Sequence, residues 1–176
     1  MTNSEKTRER IRAAAQALVA EQGSANLTLE AVAKGAGISK GGLLYHYANK
    51  QALLEGMLED LLAKRKALFL SNVTNHNSRD QLQSMIEAEF SLTAAERATA
   101  NAILAAGAED PQLLNPARDY FKLLFAHIDT ASDDAASAMT VILALQGMQL
   151  LETIGLHQLT TAEKNRLKTS LLRLIA

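Results

Sequence analysis

The 176 residues suffice for one compact unit or a small head on a larger body, with room for a sizeable core. Hydrophobic residues make up 48% of the chain and aromatics 4%, with two prolines and no cysteine; this predicts an all-α protein and excludes disulfides and thiol catalysis. A net charge of −1 excludes a uniformly basic nucleic-acid binder.

The first dozen residues are charged rather than apolar, so no secretory leader is expected and a cytoplasmic protein is the default. A helix is predicted over 5–22, where Ile11, Ala14, Ala15, Leu18 and Val19 recur at the 3.6-residue period. Gly23 ends it. Arg8 and Arg12 fall on its outer side, as solvated charge or within reach of a phosphate. Thr28 is the expected N-cap of a second helix, and its hydroxyl is also suited to a phosphate. Val32, Ala33, Ala36 and Ile38 give that helix and its turn an apolar face. Gly37 sits at a corner that needs positive φ. Ser39 then caps a third helix, buried through Leu43 and Tyr47. Small residues, a glycine corner and a capped second helix form the pattern of a helix-turn-helix, whose second helix enters the DNA major groove.

Two glycines in the first turn of that helix, Gly41 and Gly42, are poor helix formers. They imply either a loose turn or a close approach of backbone to DNA. Lys40 is suited to guanine O6 or N7, and Leu44 either to a thymine methyl or to the interior. Tyr45 and His46 suit backbone phosphate. Asn49 caps a long helix with Lys50 in its first turn. The macrodipole opposes a cation there, which a phosphate would relieve. Residues 1–50 carry seven Lys and Arg against four Glu, a balance of +3, whereas the remainder is at −4; such a distribution turns the front of the chain toward polyanions.

These residues resemble the signature of the TetR family of transcriptional regulators: Gly37, Ser39, Leu43, Leu44, Tyr45, His46, Tyr47 and Lys50, with Thr28 upstream. Leu44 stands where that family usually has Tyr, and Tyr47 where it usually has Phe. The resemblance implies a three-helix DNA-binding head over residues 1–50, joined by a long helix to a helical effector-binding and dimerisation body over 51–176. It assigns DNA contact to Thr28, Ser39, Lys40, Gly41, Gly42, Leu44, Tyr45, His46 and Lys50.

The linking helix is expected over 50–73, with Leu53, Leu54, Met57, Leu58, Leu61, Leu62 and Leu68 as its stripe. A polar break follows at 71–80. Helices are then predicted over 80–92, 94–108 and 111–127, with Pro116 marking a kink or a delayed start. Met85, Phe90, Leu104, Phe121 and Phe125 are candidates for an effector pocket, or plain core. A helix over 133–156 is apolar around much of its circumference and should be covered on several sides. Its most hydrophobic run, 134–152, falls short of the ~20 apolar residues of a bilayer span and contains Gln146 and Gln149. Thr160 and Glu163 have capping-box spacing and open a final helix. The resemblance implies that these last two helices pair with their copies in a second subunit through Met139, Ile142, Leu145, Met148, Leu167, Leu171 and Leu174. The alternative is that they close the monomer's own core.

No phosphate loop, Cys/His metal cluster or nucleophile elbow is present, so neither an enzyme nor a cofactor is expected. The combined expectation is a homodimeric repressor on an imperfect palindrome in double-stranded DNA, released by a small, largely apolar effector, without membrane attachment. A DNA-binding protein lacking such an effector, regulated by a partner protein or by its own abundance, would share the same head.

Overall fold

The computed structural model describes residues 2–23, 26–71, 78–131 and 135–176, and every regular element among them is helical. Residues 72–77 of the expected polar break, the start of the helix expected at 133, and the side chains of Leu68 and His127 lie outside the described residues.

Local capping chemistry sets most boundaries. Helix α1 (Asn3–Gln22) starts two residues earlier than the periodicity suggests, because Thr2 and Glu5 form a reciprocal capping box. It ends at Gly23, at φ 78°. Thr28 Oγ1 accepts from the Ala31 N–H to open α2 (Leu29–Gly35), and Ser39 Oγ accepts from the Gly42 N–H to open α3 (Lys40–His46). Gly37 turns between them at φ 65°. Asn49 Oδ1 accepts from the Ala52 N–H at 2.8 Å at the head of α4 (Lys50–Ser71). Helix α5 (Ser78–Phe90) precedes α6 (Ala94–Glu109), which opens with a second capping box, Thr93 and Glu96. A 3-10 turn at Pro111–Leu114 leads into α7 (Asn115–Ala131). Pro116 lies in the first turn of α7, where its missing N–H forfeits no helical bond, so the helix starts late. Helices α8 (Ala135–Thr153) and α9 (Thr161–Leu174) complete the chain, the latter opened by the Thr160–Glu163 box.

The helices gather into two compact units: Met1–Leu61 with Thr93–Ala117, and Leu62–Leu92 with Arg118–Ala176. In the first, α1 packs against both α2 and α6. Ile11, Ala15 and Val19 are the buried residues of α1, and Thr99, Ala102, Ile103 and Gly107 those of α6. The Pro111–Leu114 turn closes back on α6 at Gly107, where a Cβ would lie 2.6 Å from Leu114. The first unit therefore takes in more than residues 1–50, and α6 is part of it.

The second unit is built around Leu82, Ile86, Tyr120, Leu124, Val141, Ile142, Leu145 and Leu171, contributed by α5, α7, α8 and α9. Several residues expected at a subunit interface belong to this core. Ile142, Leu145 and Leu171 are buried within this single chain and Met148 nearly so, because they point into the monomer's own core. Leu167 is half-buried against that core, whereas Met139 and Leu174 are exposed. The outer face of α8 carries instead Met139, Leu143, Leu150 and Leu151, all exposed, and exposed Ile154 follows just past its end. Helix α8 is also long and apolar enough by composition to cross a membrane, contrary to the reading of its hydrophobic run. Its inner face, however, is committed to the core of the second unit.

Candidate nucleic-acid interface and body cavity

Helix α3 is rooted through Leu43, fully buried, and Tyr47, which is 3% exposed. Its other side is open. Tyr45 is 84% exposed and packs edge-on against the His46 ring, with centroids 5.2 Å apart. Leu44 is exposed rather than packed inside. Thr28, Ser39, Lys40, Gly41 and Lys50 are exposed as well, and Gly42 and His46 are half-buried. The two glycines differ. A Cβ at Gly42 would press on the Ser39 cap at 3.2 Å, so glycine there protects the helix start. At Gly41 a Cβ would meet only Ser39 Oγ, at 4.0 Å, so nothing inside the protein requires a glycine. Lys40 donates to the Glu30 carboxylate across the corner, and this bond holds Glu30 below the ordinary carboxylate range.

Three arginines of α1 secure the corner from behind. Arg10 donates to the Ala36 carbonyl at 2.5 Å. Arg8 donates to the His46 carbonyl at 3.4 Å and lies 5.1 Å from the centroid of the Tyr47 ring, a cation–π distance. Arg12 donates from Nη1 to the Tyr47 hydroxyl and from Nε to Asp60 on α4. Burial disfavours its charge, but the Tyr47 and Asp60 interactions outweigh burial and raise its pKa. Arg8 and Arg12 thus both touch the far end of α3; Arg12 is partly buried there and engaged with Tyr47 and Asp60, whereas Arg8 remains exposed. Sequence reasoning missed Gly56, where a Cβ would lie 2.8 Å from the Tyr47 ring. The available signal was a glycine in the middle of an otherwise leucine-rich helix.

The second unit contains a shallow recess, with about 20 Å³ of enclosed space, lined by Arg65, Met85, Ala88, Glu89, Tyr120, Leu124, Leu145 and Gln146. Arg65 donates to Glu89 at 2.9 Å, and the Glu89 side chain is only 7% exposed. Burial pushes the Tyr120 phenol above its ordinary pKa, with the Arg65 charge pulling the other way. Of the five expected pocket residues, Met85 lines this recess. Phe90, Phe121 and Phe125 pack against the core of the same unit. Leu104 is exposed on α6, in the first unit. The partly buried Arg65–Glu89 pair left no local sequence signal, because its members lie 24 residues apart.

Residues 11–57 match the family model of bacterial regulatory proteins of the tetR family, and residues 79–176 match that of the tetracyclin repressor-like C-terminal domain. The chain belongs to the TetR family. It is 30% identical over 115 residues to the HTH-type transcriptional regulator UidR of Escherichia coli K12, a match covering 64% of this chain and 57% of UidR. The chain thus spans a little over half the length of the curated relatives it matches. Among solved structures, a transcriptional regulator from Rhodococcus sp. Rha1 superposes with a TM-score of 0.72 at 23% identity, over 96% of this chain and 93% of that one. The multidrug binding protein EbrR, complexed with malachite green, superposes at 0.70 with 22% identity, over 96% and 98%. TetR-family regulators are DNA-binding transcription factors rather than enzymes, and act as dimers with small-molecule ligands. Tyr47, a departure from the usual TetR-family Phe, has a structural use here: its hydroxyl is the acceptor for Arg12.

Proposed function

We propose that the protein is a homodimeric, sequence-specific transcriptional repressor that leaves a palindromic operator when a small molecule enters its second unit. The observation that supports DNA binding best is the two-sidedness of α3. Leu43 and Tyr47 anchor one side, while Tyr45, Leu44 and Gly41 are held out with Lys40 at the helix start. An exposed phenol and an exposed leucine on a rigid short helix gain nothing for the monomer's fold. They suit a groove that offers phosphate oxygens and thymine methyls.

The exposed face of α8 is suited to a second copy of the chain. A two-fold pair of heads on successive major grooves would read an imperfect palindrome. The recess around Arg65, Glu89 and Tyr120 supports an effector that is largely apolar with one polar end. Its wall joins apolar Met85, Leu124 and Leu145 to a partly buried ion pair, a phenol and the Gln146 amide. Such a wall suits an apolar molecule with a hydrogen-bonding end, and the polar end must find partners when it is desolvated. EbrR, which shares the fold, holds malachite green. The effector releases DNA only if it binds the two conformations of the regulator unequally. A cytoplasmic location follows from acting on the genome.

The test is fluorescence anisotropy of the intact protein with duplexes from the region upstream of its own gene, across a salt series. Specific binding should weaken as a power of salt concentration. Lys50→Ala should weaken binding to all sequences alike and lower the salt slope by about one. Lys40→Ala should relax preference at one base pair. Salt-independent or undetectable binding to every duplex would overturn the reading.

A further inference from the structure

We propose that Glu30 is a specificity-determining residue: it restrains Lys40 at the start of the recognition helix and opens with it onto a guanine–cytosine pair of the operator. The proposal rests on the DNA-binding reading above.

Lys40 donates from Nζ to Glu30 Oε1 between the first residue of α3 and the first turn of α2, ten positions apart in sequence. Both side chains are more than half exposed, at 54% for Lys40 and 62% for Glu30. Exposed pairs of this kind add little to stability; in the first turn of α2 Glu30 also complements the helix N-terminus and accepts a backbone hydrogen bond, and neither role requires a lysine opposite it. An anion on a surface that must approach a polyanion carries a cost. Any phosphate that takes Lys40 from Glu30 leaves the carboxylate facing that phosphate. The pair therefore contributes little to counterion release at an arbitrary sequence. A guanine–cytosine pair in the major groove is different, because it presents the O6 and N7 acceptors of guanine beside the N4 donor of cytosine. Lys40 can donate to the first and Glu30 accept from the second, so neither charge loses its partner. The reversed pair leaves Glu30 against an acceptor, and an adenine–thymine pair, whose N6 donor lies between two acceptors, offers Lys40 one neighbouring acceptor where guanine offers two. Discrimination then arises as much from the penalty at wrong sites as from contact at the right one.

The experiment uses the intact protein. Selection from a random duplex library first defines the preferred site. Anisotropy then compares that site, its single-base variants and a random-sequence duplex, for the wild-type chain, Glu30→Gln and Glu30→Ala. Thermal melts check that each variant remains folded. Both variants should bind the random duplex more tightly, by roughly threefold to tenfold at low salt, with a salt slope steeper by about 0.9. The preference for guanine–cytosine at one symmetric position should fall by about tenfold or more. Unchanged random-duplex affinity and slope in folded variants, or an unchanged base preference, would overturn the role of Glu30. Such a result is distinct from failure of the DNA reading, in which the wild-type chain itself would bind no duplex.

Discussion

The Arg12 guanidinium donates to the Tyr47 hydroxyl at 2.9 Å and, on its other edge, to Asp60. One side chain of α1 thereby ties the last residue of the recognition corner to α4. Tyr47→Phe removes the phenol while preserving the ring, and leaves Arg12 with Asp60. The expected loss is about 1–2 kcal/mol of unfolding free energy, as for a hydrogen bond to a charged donor, measured by urea titration. Operator affinity should fall with the salt slope unchanged, since no phosphate contact disappears.

Gly56 underlies the same ring. In an open helix Gly→Ala is worth up to about 1 kcal/mol of stability. Here the new methyl would meet the Tyr47 ring at 2.8 Å. Gly56→Ala should therefore destabilise by about 1–3 kcal/mol, the usual cost of overpacking. A midpoint shift in chemical denaturation will show the sign directly.

Gly41 should behave in the opposite way. Its Cβ would enter nearly open space, so Gly41→Ala should leave the protein as stable or raise it by up to about 1 kcal/mol. DNA affinity should nevertheless drop, because the methyl stands where backbone approaches the duplex. Loss of stability with intact DNA binding would return this glycine to a purely structural role.

Two neighbours on α8 separate folding from assembly. Ile142 is fully buried in the monomer and Leu143 is 58% exposed. Ile142→Ala should cost about 2–5 kcal/mol of stability. Leu143→Glu should leave the monomer folded and dissociate the dimer, as read by sedimentation velocity. A dimer that survives Leu143→Glu would place the interface on another surface.

Glu163 caps α9, and the Thr160 backbone N–H, followed by the Thr160 hydroxyl, depresses its pKa below the ordinary 4.5. A carboxyl lowered in the folded state stabilises above its unfolded pKa and loses that contribution as pH falls through the folded value. Acid should therefore weaken α9 below about pH 4.5. Glu163→Gln keeps the spacing of the box but carries no titratable charge. Its melting temperature should lie below the wild type's by a constant margin above that pH and converge with it as the wild-type carboxyl protonates below.

Capping chemistry was legible from the chain alone. Thr28, Ser39, Asn49 and Thr160 each sit within three residues of the N–H they accept from, so the instruction is local. The corner at Gly37 is legible for the same reason. The packing of α6 on α1 was not legible, because two amphipathic faces far apart in sequence carry no mark of which will meet. Nor was the orientation of α8: a helix apolar around its circumference does not declare which side faces inward, and Ile142 and Leu143 read alike. The roles of Arg8 and Arg12 were hidden similarly, since an arginine on an outer helix face looks solvated until Tyr47 is brought beneath it. Met85 could be picked out as a bulky apolar residue lining the recess, whereas Arg65 and Glu89 are ordinary surface charges until the fold pairs them.

The first unit is assembled from two stretches, Met1–Leu61 and Thr93–Ala117, with part of the second unit spliced between them. A chimera that transplants only the amino-terminal sixty residues onto a relative's body would inherit a foreign α6, and α1 would pack against a helix never fitted to it. Exchanging operator preference between such regulators therefore calls for resurfacing α2 and α3 in place, or for moving both stretches together.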